Sequence, residues 1–200
     1  RNTLDSYRRA LELNPGSVLA QLRVGETLTA LGRPQEAVAA LEAAAGKNPD
    51  YAALHNSLGI ALREAGRLDD ALAACQRAVA LEPGLYLARF NVGNLLREKG
   101  FLAEAVIAYR AAIGVNPVFA EVHNNLGSAL KDMGRVQEAL DCFRQALVLK
   151  PDFADALYNA AQRLRDSGQV DDAVGAFQSV IETRPGMVEA HYDLGNLLKN

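Results

Sequence analysis

The amino-acid sequence predicts an all-α protein, a solenoid of antiparallel helix pairs. The strongest observation is a period of 34 residues, which separates six of the seven prolines: Pro15, Pro49, Pro83, Pro117, Pro151 and Pro185. A second observation is that small residues recur with the same period. A fixed period of this length is typical of stacked helical hairpins, whose short helices are stable only when neighbouring hairpins cover them.

The period divides the whole chain into units and leaves no linker. With Val18 as the first residue of a unit, the full units are 18–51, 52–85, 86–119, 120–153 and 154–187, and half units lie at 1–17 and 188–200. Because a repeat array has one continuous core, we expect the 200 residues to form a single domain. The pattern begins and ends within a unit, so we expect the chain to be a fragment of a longer protein.

The first helix of each unit is predicted to end at a glycine in the fifteenth position. This position reads Gly32, Gly66, Gly100, Gly134 and Gly168. Glycine readily adopts the left-handed conformation that closes a helix. The second helix is predicted to end at the periodic proline, which has no N–H to continue the hydrogen-bond ladder. Each unit therefore holds two helices of about 13 residues, roughly 20 Å long.

Small residues inside the predicted helices indicate close packing. The eighth position reads Gly25, Gly59, Gly93, Gly127, Ala161 and Gly195. Glycine in a helix interior costs about 1 kcal/mol relative to alanine, so we expect a neighbouring helix to lie too close to admit a side chain. Larger residues fill the core at the twenty-fourth position, which reads Tyr7, Leu41, Cys75, Tyr109, Phe143 and Phe177.

The composition argues against several classes of partner. Half of the residues are apolar and 22% are charged, as in ordinary folded proteins. The net charge of −3 argues against nucleic-acid binding, which needs a basic surface. No run of 18 apolar residues that could span a membrane occurs. Cys75 and Cys142 have no disulfide or redox spacing, and we expect them to be reduced thiols of a cytoplasmic protein.

No catalytic, metal or cofactor site is predicted. The three histidines, His55, His123 and His191, occupy the same fourth position of units that are two apart, so they cannot converge on a metal ion or a catalytic triad. We expect each to be a polar-tipped residue at a helix–helix contact. Asp69 and Asp70 begin a second helix, where carboxylates complement the helix dipole. We therefore expect that the chain is not an enzyme.

The small residues at the eighth, twentieth and twenty-seventh positions, together with proline at the thirty-second, resemble the tetratricopeptide repeat over the whole chain. The resemblance implies a right-handed superhelical solenoid whose first helices line a concave groove. It also implies a non-catalytic protein–protein interaction scaffold that binds a protein or an extended peptide in that groove. The fourth position departs from the family, which often carries tryptophan there.

Two segments show a narrower resemblance. Residues Phe119–Gly127 and Phe153–Asn159 are similar to repeats of the recognition arm of O-GlcNAc transferases. Those repeats favour an aromatic residue before the helix, histidine at the fourth position and asparagine at the sixth. The resemblance implies an alternative function, the substrate-recognition arm of a larger enzyme such as an O-GlcNAc transferase-like glycosyltransferase.

The predicted binding residues lie on the exposed side of the first helices, at the fifth, sixth, ninth and twelfth positions. They are amides, aromatics and cations: Asn56, Asn91, Asn94, Asn124, Asn125, Asn159, Phe90, Tyr158, Tyr192, Arg97, Lys131 and Arg165. A side-chain amide offers a donor and an acceptor, as the peptide backbone does. We therefore predict that Asn91, Asn125 and Asn159 hold a partner by its main chain. The alternative is that these asparagines make hydrogen bonds between repeats.

A further possibility is end-to-end self-association through residues 1–17 and 188–200. Both half units carry apolar faces without a partner unit in the sequence: Leu4, Tyr7 and Leu11, and Leu194, Leu197 and Leu198. Stacking of two chains end to end would cover these faces.

Overall fold

The computed structural model describes residues 3–199, which form twelve α-helices and no strand. The helices are α1 Thr3–Leu13, α2 Val18–Ala30, α3 Pro34–Lys47, α4 Ala52–Glu64, α5 Leu68–Leu81, α6 Tyr86–Glu98, α7 Leu102–Val115, α8 Ala120–Asp132, α9 Val136–Leu149, α10 Ala154–Asp166, α11 Val170–Thr183 and α12 Val188–Leu197. The predicted all-α solenoid of helix pairs is confirmed. Residues 1, 2 and 200, which belong to the two predicted half units, lie outside the described range.

The contacts between helices divide the chain into two compact units, one reaching to Val115 and one beginning at Asn116. The first unit contains α1–α7 and the second contains α8–α12. In both units an even-numbered helix packs most extensively on the odd-numbered helix that follows it. Neighbouring even-numbered helices also touch each other, as α4 and α6 do in the first unit and α8 and α10 do in the second. These even-numbered helices are the first helices of the predicted repeats.

Each first helix ends at a glycine in the left-handed conformation, as predicted. The five glycines of the fifteenth position have φ between +69° and +83°. The N–H of the residue that follows donates to the carbonyl of the leucine at the eleventh position, as Arg135 does to Leu130 at 2.9 Å. This is the hydrogen bond of a Schellman cap. The glycine at the fifteenth position is therefore the residue that ends the helix, and the leucine takes part in this bond only through its backbone carbonyl.

The glycine at the eighth position packs against the residue at the twenty-fourth position of the same unit. A Cβ atom added to Gly93 would lie 2.5 Å from Tyr109 Cε1, and one added to Gly127 would lie 2.7 Å from Phe143 Cε1. Both aromatic side chains are fully buried. The prediction that a neighbouring helix lies too close to admit a side chain is confirmed at these positions.

The fourth position has a role that sequence reasoning missed. Its side chain bonds the carbonyl oxygen of the periodic proline six residues earlier, at 2.8–3.0 Å, in five units: Gln21 with Pro15, His55 with Pro49, Arg89 with Pro83, His123 with Pro117 and His191 with Pro185. The histidines share this bond with glutamine and arginine, so what these five residues have in common is a side-chain hydrogen-bond donor. Nε2 must carry the proton to donate to a carbonyl. The constant spacing from proline is the signal that could have revealed it.

Candidate functional site

The predicted binding residues lie on the even-numbered helices, on the side formed by the fifth, sixth, ninth and twelfth positions. We call this side the amide face. The first unit carries Asn56, Phe90, Asn91, Asn94 and Arg97, and the second carries Asn124, Asn125, Lys131, Tyr158, Asn159, Arg165 and Tyr192. Most of these side chains are half-buried, whereas Asn124 is buried and Tyr192 is exposed. The amide face is therefore described separately within each unit.

Asparagine side chains bond each other across adjacent first helices in both units. Asn91 Nδ2 donates to Asn56 Oδ1 at 2.9 Å, and Asn159 Nδ2 donates to Asn124 Oδ1 at 3.1 Å. In each case the sixth position of one repeat reaches the fifth position of the preceding repeat. Asn124 Nδ2 in turn donates to Asn125 Oδ1 at 3.4 Å. The alternative expectation, that asparagines make hydrogen bonds between repeats, is confirmed for Asn91 and Asn159.

A tyrosine and an aspartate take the place of the amide pair between α10 and α12. The Tyr158 hydroxyl donates to Asp193 Oδ2 at 2.9 Å and accepts from Gln162 Nε2 at 3.0 Å. Burial, together with this hydrogen bond to the carboxylate, raises the pKa of Tyr158 to about 12. Arg165 completes the cluster with an ion pair to Asp193 at 2.9 Å. Sequence reasoning included Tyr158 and Arg165 but missed their shared partner.

Two of the three aromatic side chains of the amide face, Phe90 and Tyr158, pack against aromatic rings of the core. The Phe90 ring lies 6.0 Å from the Tyr109 ring, and the Tyr158 ring meets Phe177 edge-on at 5.9 Å. The Tyr109 hydroxyl donates to Asn94 Oδ1 at 2.8 Å. By contrast, 70% of Tyr192 is exposed. Among the three predicted aromatic contacts, Tyr192 therefore offers the largest surface to a partner.

The charged residues near the twelfth position pair mainly with each other. Arg63 Nε donates to Glu98 Oε2 of the next repeat at 2.6 Å, and this bond raises the pKa of the arginine. Both side chains are more than one third exposed, and such pairs contribute little stability. Arg97 and Lys131 occupy the same position on α6 and α8 and are half-buried. The row of cations is thus partly neutralised by neighbouring carboxylates.

A cavity opens on the amide face of the first unit, between α4 and α6. Its volume is about 100 Å³, and its lining includes Gly59, Ile60, Arg63, Cys75, Asn91 and Asn94. Gly59, Ile60 and Arg63 lie on α4, the two asparagines on α6, and Cys75 on α5. The cavity is therefore bounded by residues of three helices, α4, α5 and α6, and two of the predicted binding residues, Asn91 and Asn94, line it.

The structure also bears on metal ligands, on the two cysteines and on membrane-spanning helices. Within residues 3–199, no group of three or more histidine, cysteine or acidic side chains is placed to hold a metal ion. Cys75 is buried and Cys142 is half-buried, and neither forms a disulfide. Over the same range, no helix combines the length and apolar character that crossing a membrane requires.

The apolar faces of the two half units differ in how far the rest of the chain covers them. Leu4 is 1% exposed and belongs to the core of the first unit, against which Tyr7 and Leu11 pack. The expectation that this apolar face lacks a partner within the chain is therefore wrong, because α1 packs on α2. On α12, Leu194 and Leu197 pack on the core of the second unit. Leu198, which follows this helix, remains 67% exposed.

Models of the tetratricopeptide repeat match most of the chain. One matches residues 25–86 and 158–198, which together exceed half of the chain, a second matches 120–153, and a model described as TPR repeat matches 93–134. These models describe the repeat in general, so the narrower similarity to the recognition arm of O-GlcNAc transferases stays a prediction. Among curated proteins, none matches the chain.

Three solved structures with the same fold illustrate the similarity. MamA 41-end from Desulfovibrio magneticus RS-1 is 18% identical, with 86% of this chain and 97% of that chain covered and a TM-score of 0.74. TTC0263, a thermophilic TPR protein in Thermus thermophilus, is 24% identical, with coverage of 92% and 100% and a TM-score of 0.72. YrrB, described as a TPR protein with an unusual peptide-binding site, is 18% identical, with coverage of 96% and 98% and a TM-score of 0.70. These structures share the fold, and the family model that covers more than half of the chain shows that it belongs to the tetratricopeptide repeat family.

Proposed function

We propose that the chain is a protein-interaction scaffold that binds an extended peptide segment on its amide face. The observation that carries this proposal is that Asn91 and Asn159 are each fixed by a hydrogen bond to the preceding first helix and yet remain only half-buried. The structure of YrrB, a protein of the same fold, is described as having a peptide-binding site, which supports peptide binding as a function of this architecture.

The paired amides suit the recognition of a peptide backbone. A side-chain amide has two N–H donors and an oxygen with two lone pairs. The bond from Asn91 to Asn56 uses one N–H of Asn91, and the bond from Asn159 to Asn124 uses one N–H of Asn159. Each of these two asparagines therefore keeps further hydrogen-bonding capacity. Because the inter-helix bond already fixes the asparagine side chain, that side chain loses less rotamer entropy when a partner binds.

The test uses short random peptides displayed in a library and selected on the chain. We expect Asn91→Ala to weaken peptides selected on the first unit, and Asn159→Ala to weaken peptides selected on the second, about fivefold in each case, because each peptide loses one hydrogen bond. Each variant should also lose about 1 kcal/mol of unfolding free energy, because one inter-helix bond is broken. Fluorescence polarisation measures the affinity, and urea denaturation measures the stability.

Asn124→Ala is the matched control for Asn159→Ala. It breaks the same inter-helix hydrogen bond and also the longer bond to Asn125, but Asn124 is only 7% exposed and has little surface to offer a peptide. We expect Asn124→Ala to be at least as destabilised as Asn159→Ala, and only Asn159→Ala to weaken binding. Lower stability with unchanged affinity in both would show that the asparagines serve the fold alone, and the proposal would fail.

The substrate-recognition arm of a larger glycosyltransferase-like enzyme is the alternative form of this function. It is compatible with peptide binding on the amide face, since such an arm also presents a surface to protein substrates. A catalytic domain encoded in the same gene would favour this alternative over a separate scaffold.

We also propose weak self-association of the chain through α12 and the residue that follows it. Tyr192 and Leu198 are both about two-thirds exposed or more, at 70% and 67%, and covering such side chains is favourable. Light scattering over a concentration series should show a mass that rises with concentration, and Leu198→Lys should suppress the rise. A constant monomer mass would contradict this proposal.

A further inference from the structure

The cavity between α4 and α6 follows from an unusual residue at the twenty-fourth position. In the other full units this position holds leucine, tyrosine or phenylalanine, whereas in residues 52–85 it holds Cys75. Cys75 packs beneath Gly59 as the larger residues pack beneath their own glycines. Because its side chain ends at the sulfur, the space that a larger side chain fills elsewhere is left open toward the amide face.

The next repeat shows what fills the equivalent space. Beneath Gly93, the Tyr109 ring extends toward the amide face, and its hydroxyl reaches Asn94 at 2.8 Å. In the preceding repeat, Leu41 packs directly beneath Gly25. In the compact unit that ends at Val115, both leucine and tyrosine therefore fit beneath a glycine of the eighth position. Cys75 leaves a volume of about 100 Å³.

The walls of the cavity define the group that it would accept. Its bottom is apolar, formed by Gly59 and Cys75, and burial raises the pKa of the Cys75 thiol to about 12, so the sulfur is uncharged at neutral pH. Ile60, which is 37% exposed, contributes an aliphatic wall. A cavity of about 150 Å³ is known to hold a benzene ring, so this smaller one suits an aliphatic side chain better than an aromatic one.

The rim of the cavity is polar and coincides with the amide face. Asn91 and Asn94 lie on one side, and Arg63, whose charge is paired with Glu98, lies on the other. An apolar pocket with a few polar groups at its mouth is the usual form of a ligand site. A peptide whose backbone met the asparagines would therefore pass directly over the opening.

We propose that this cavity is an anchor pocket for one large aliphatic side chain, leucine, isoleucine or methionine, of the peptide bound on the amide face. The inference rests on the proposed function, because the backbone contacts to asparagine bring the side chain to the pocket. It adds the chemical class of the ligand: an extended segment with a single aliphatic anchor, rather than an acidic, basic or aromatic one.

The experiment fills the pocket without disturbing the fold. Cys75→Leu reproduces the leucine–glycine packing of Leu41 beneath Gly25, and Cys75→Ala keeps the pocket open while removing the sulfur. Short random peptides are selected on the unaltered chain and their affinities for the three proteins are measured. We expect the peptides to share an aliphatic residue at one position, and we expect its replacement by alanine to weaken binding about tenfold.

The same peptides should bind Cys75→Leu about tenfold more weakly than the unaltered chain, and they should bind Cys75→Ala, whose pocket stays open, more tightly than Cys75→Leu. The alanine-substituted peptide should bind Cys75→Leu no worse than it binds the unaltered chain, because the anchor and the pocket act as a pair. Thermal melting should show Cys75→Leu to be at least as stable as the unaltered chain, which separates a filled pocket from a damaged fold.

The outcomes distinguish the two proposals. Peptides that bind Cys75→Leu with undiminished affinity, or that share no aliphatic position, would overturn the anchor pocket and leave peptide binding intact. A selection that yields no peptide for the unaltered chain would overturn both.

Discussion

Replacement of Phe143 by alanine is expected to lower the free energy of unfolding by about 3–5 kcal/mol. The Phe143 ring is fully buried and lies against Gly127. Without the ring, the transfer free energy of its carbon atoms is lost, and a void remains beside a glycine that has no side chain to fill it. Urea denaturation followed by circular dichroism measures the change.

Val148→Ala provides the control for this variant. Val148 lies on the same helix, α9, but is 73% exposed, and surface substitutions of this kind usually change stability by less than about 0.5 kcal/mol. A loss below about 1 kcal/mol for Phe143→Ala would mean that the helices close around the void, and that the aromatic residue does not set their separation.

Gly127→Leu is expected to be destabilising by about 1–2 kcal/mol. Two effects oppose each other, since leucine gains about 1 kcal/mol of helix propensity over glycine, whereas overpacking typically costs about 1–3 kcal/mol and sometimes more. A Cβ alone at this position would lie 2.7 Å from Phe143 Cε1 and 3.1 Å from the Ala139 carbonyl oxygen. Three further carbon atoms have no space, so the clash outweighs the propensity gain.

The chain contains its own matched control, because Gly195 stands at the same position of the repeat. No atom lies within 4 Å of a Cβ added there, so Gly195→Leu should leave stability unchanged or raise it by up to about 1 kcal/mol. Comparison of the two urea midpoints tests the argument. Equal midpoints would show that glycine at the eighth position reflects something other than helix contact. In combination with Phe143→Ala, Gly127→Leu should cost less than it does alone.

Much of the fold could be predicted from the period because local chemistry repeats with it. The left-handed glycine, the proline that ends each second helix and the glycine beneath an aromatic ring each depend on residue types at fixed spacing. The glycine and the proline recur in every full unit, and the glycine beneath an aromatic ring occurs in two of them, at Gly93 and Gly127. The bond from the fourth position to the proline carbonyl also depends on local spacing, but its donors are as different as glutamine, histidine and arginine, which concealed their common role.

The candidate site was less predictable, since it depends on how adjacent helices are placed. The sequence shows Asn91 and Asn159 at the sixth position, but only the packing of neighbouring first helices reveals that each bonds the fifth position of the preceding repeat. Asn124 looks as exposed as its neighbours in the sequence, yet it is buried. The cavity could not be predicted for a different reason. Cys75 fits the apolar pattern of the core, but that pattern does not show that the cysteine side chain is smaller than the leucine, tyrosine or phenylalanine at the same position of other units.

The bond to the proline carbonyl also affects how stability is distributed along the array. It ties the start of a repeat to the turn before it at five junctions, whereas at the Pro151 junction the fourth position is Leu157, which has no side-chain donor. The links of the array are therefore unequal. A hydrogen bond of this kind contributes about 1 kcal/mol, so the Pro151 junction lacks a local contribution to stability that the other five junctions have.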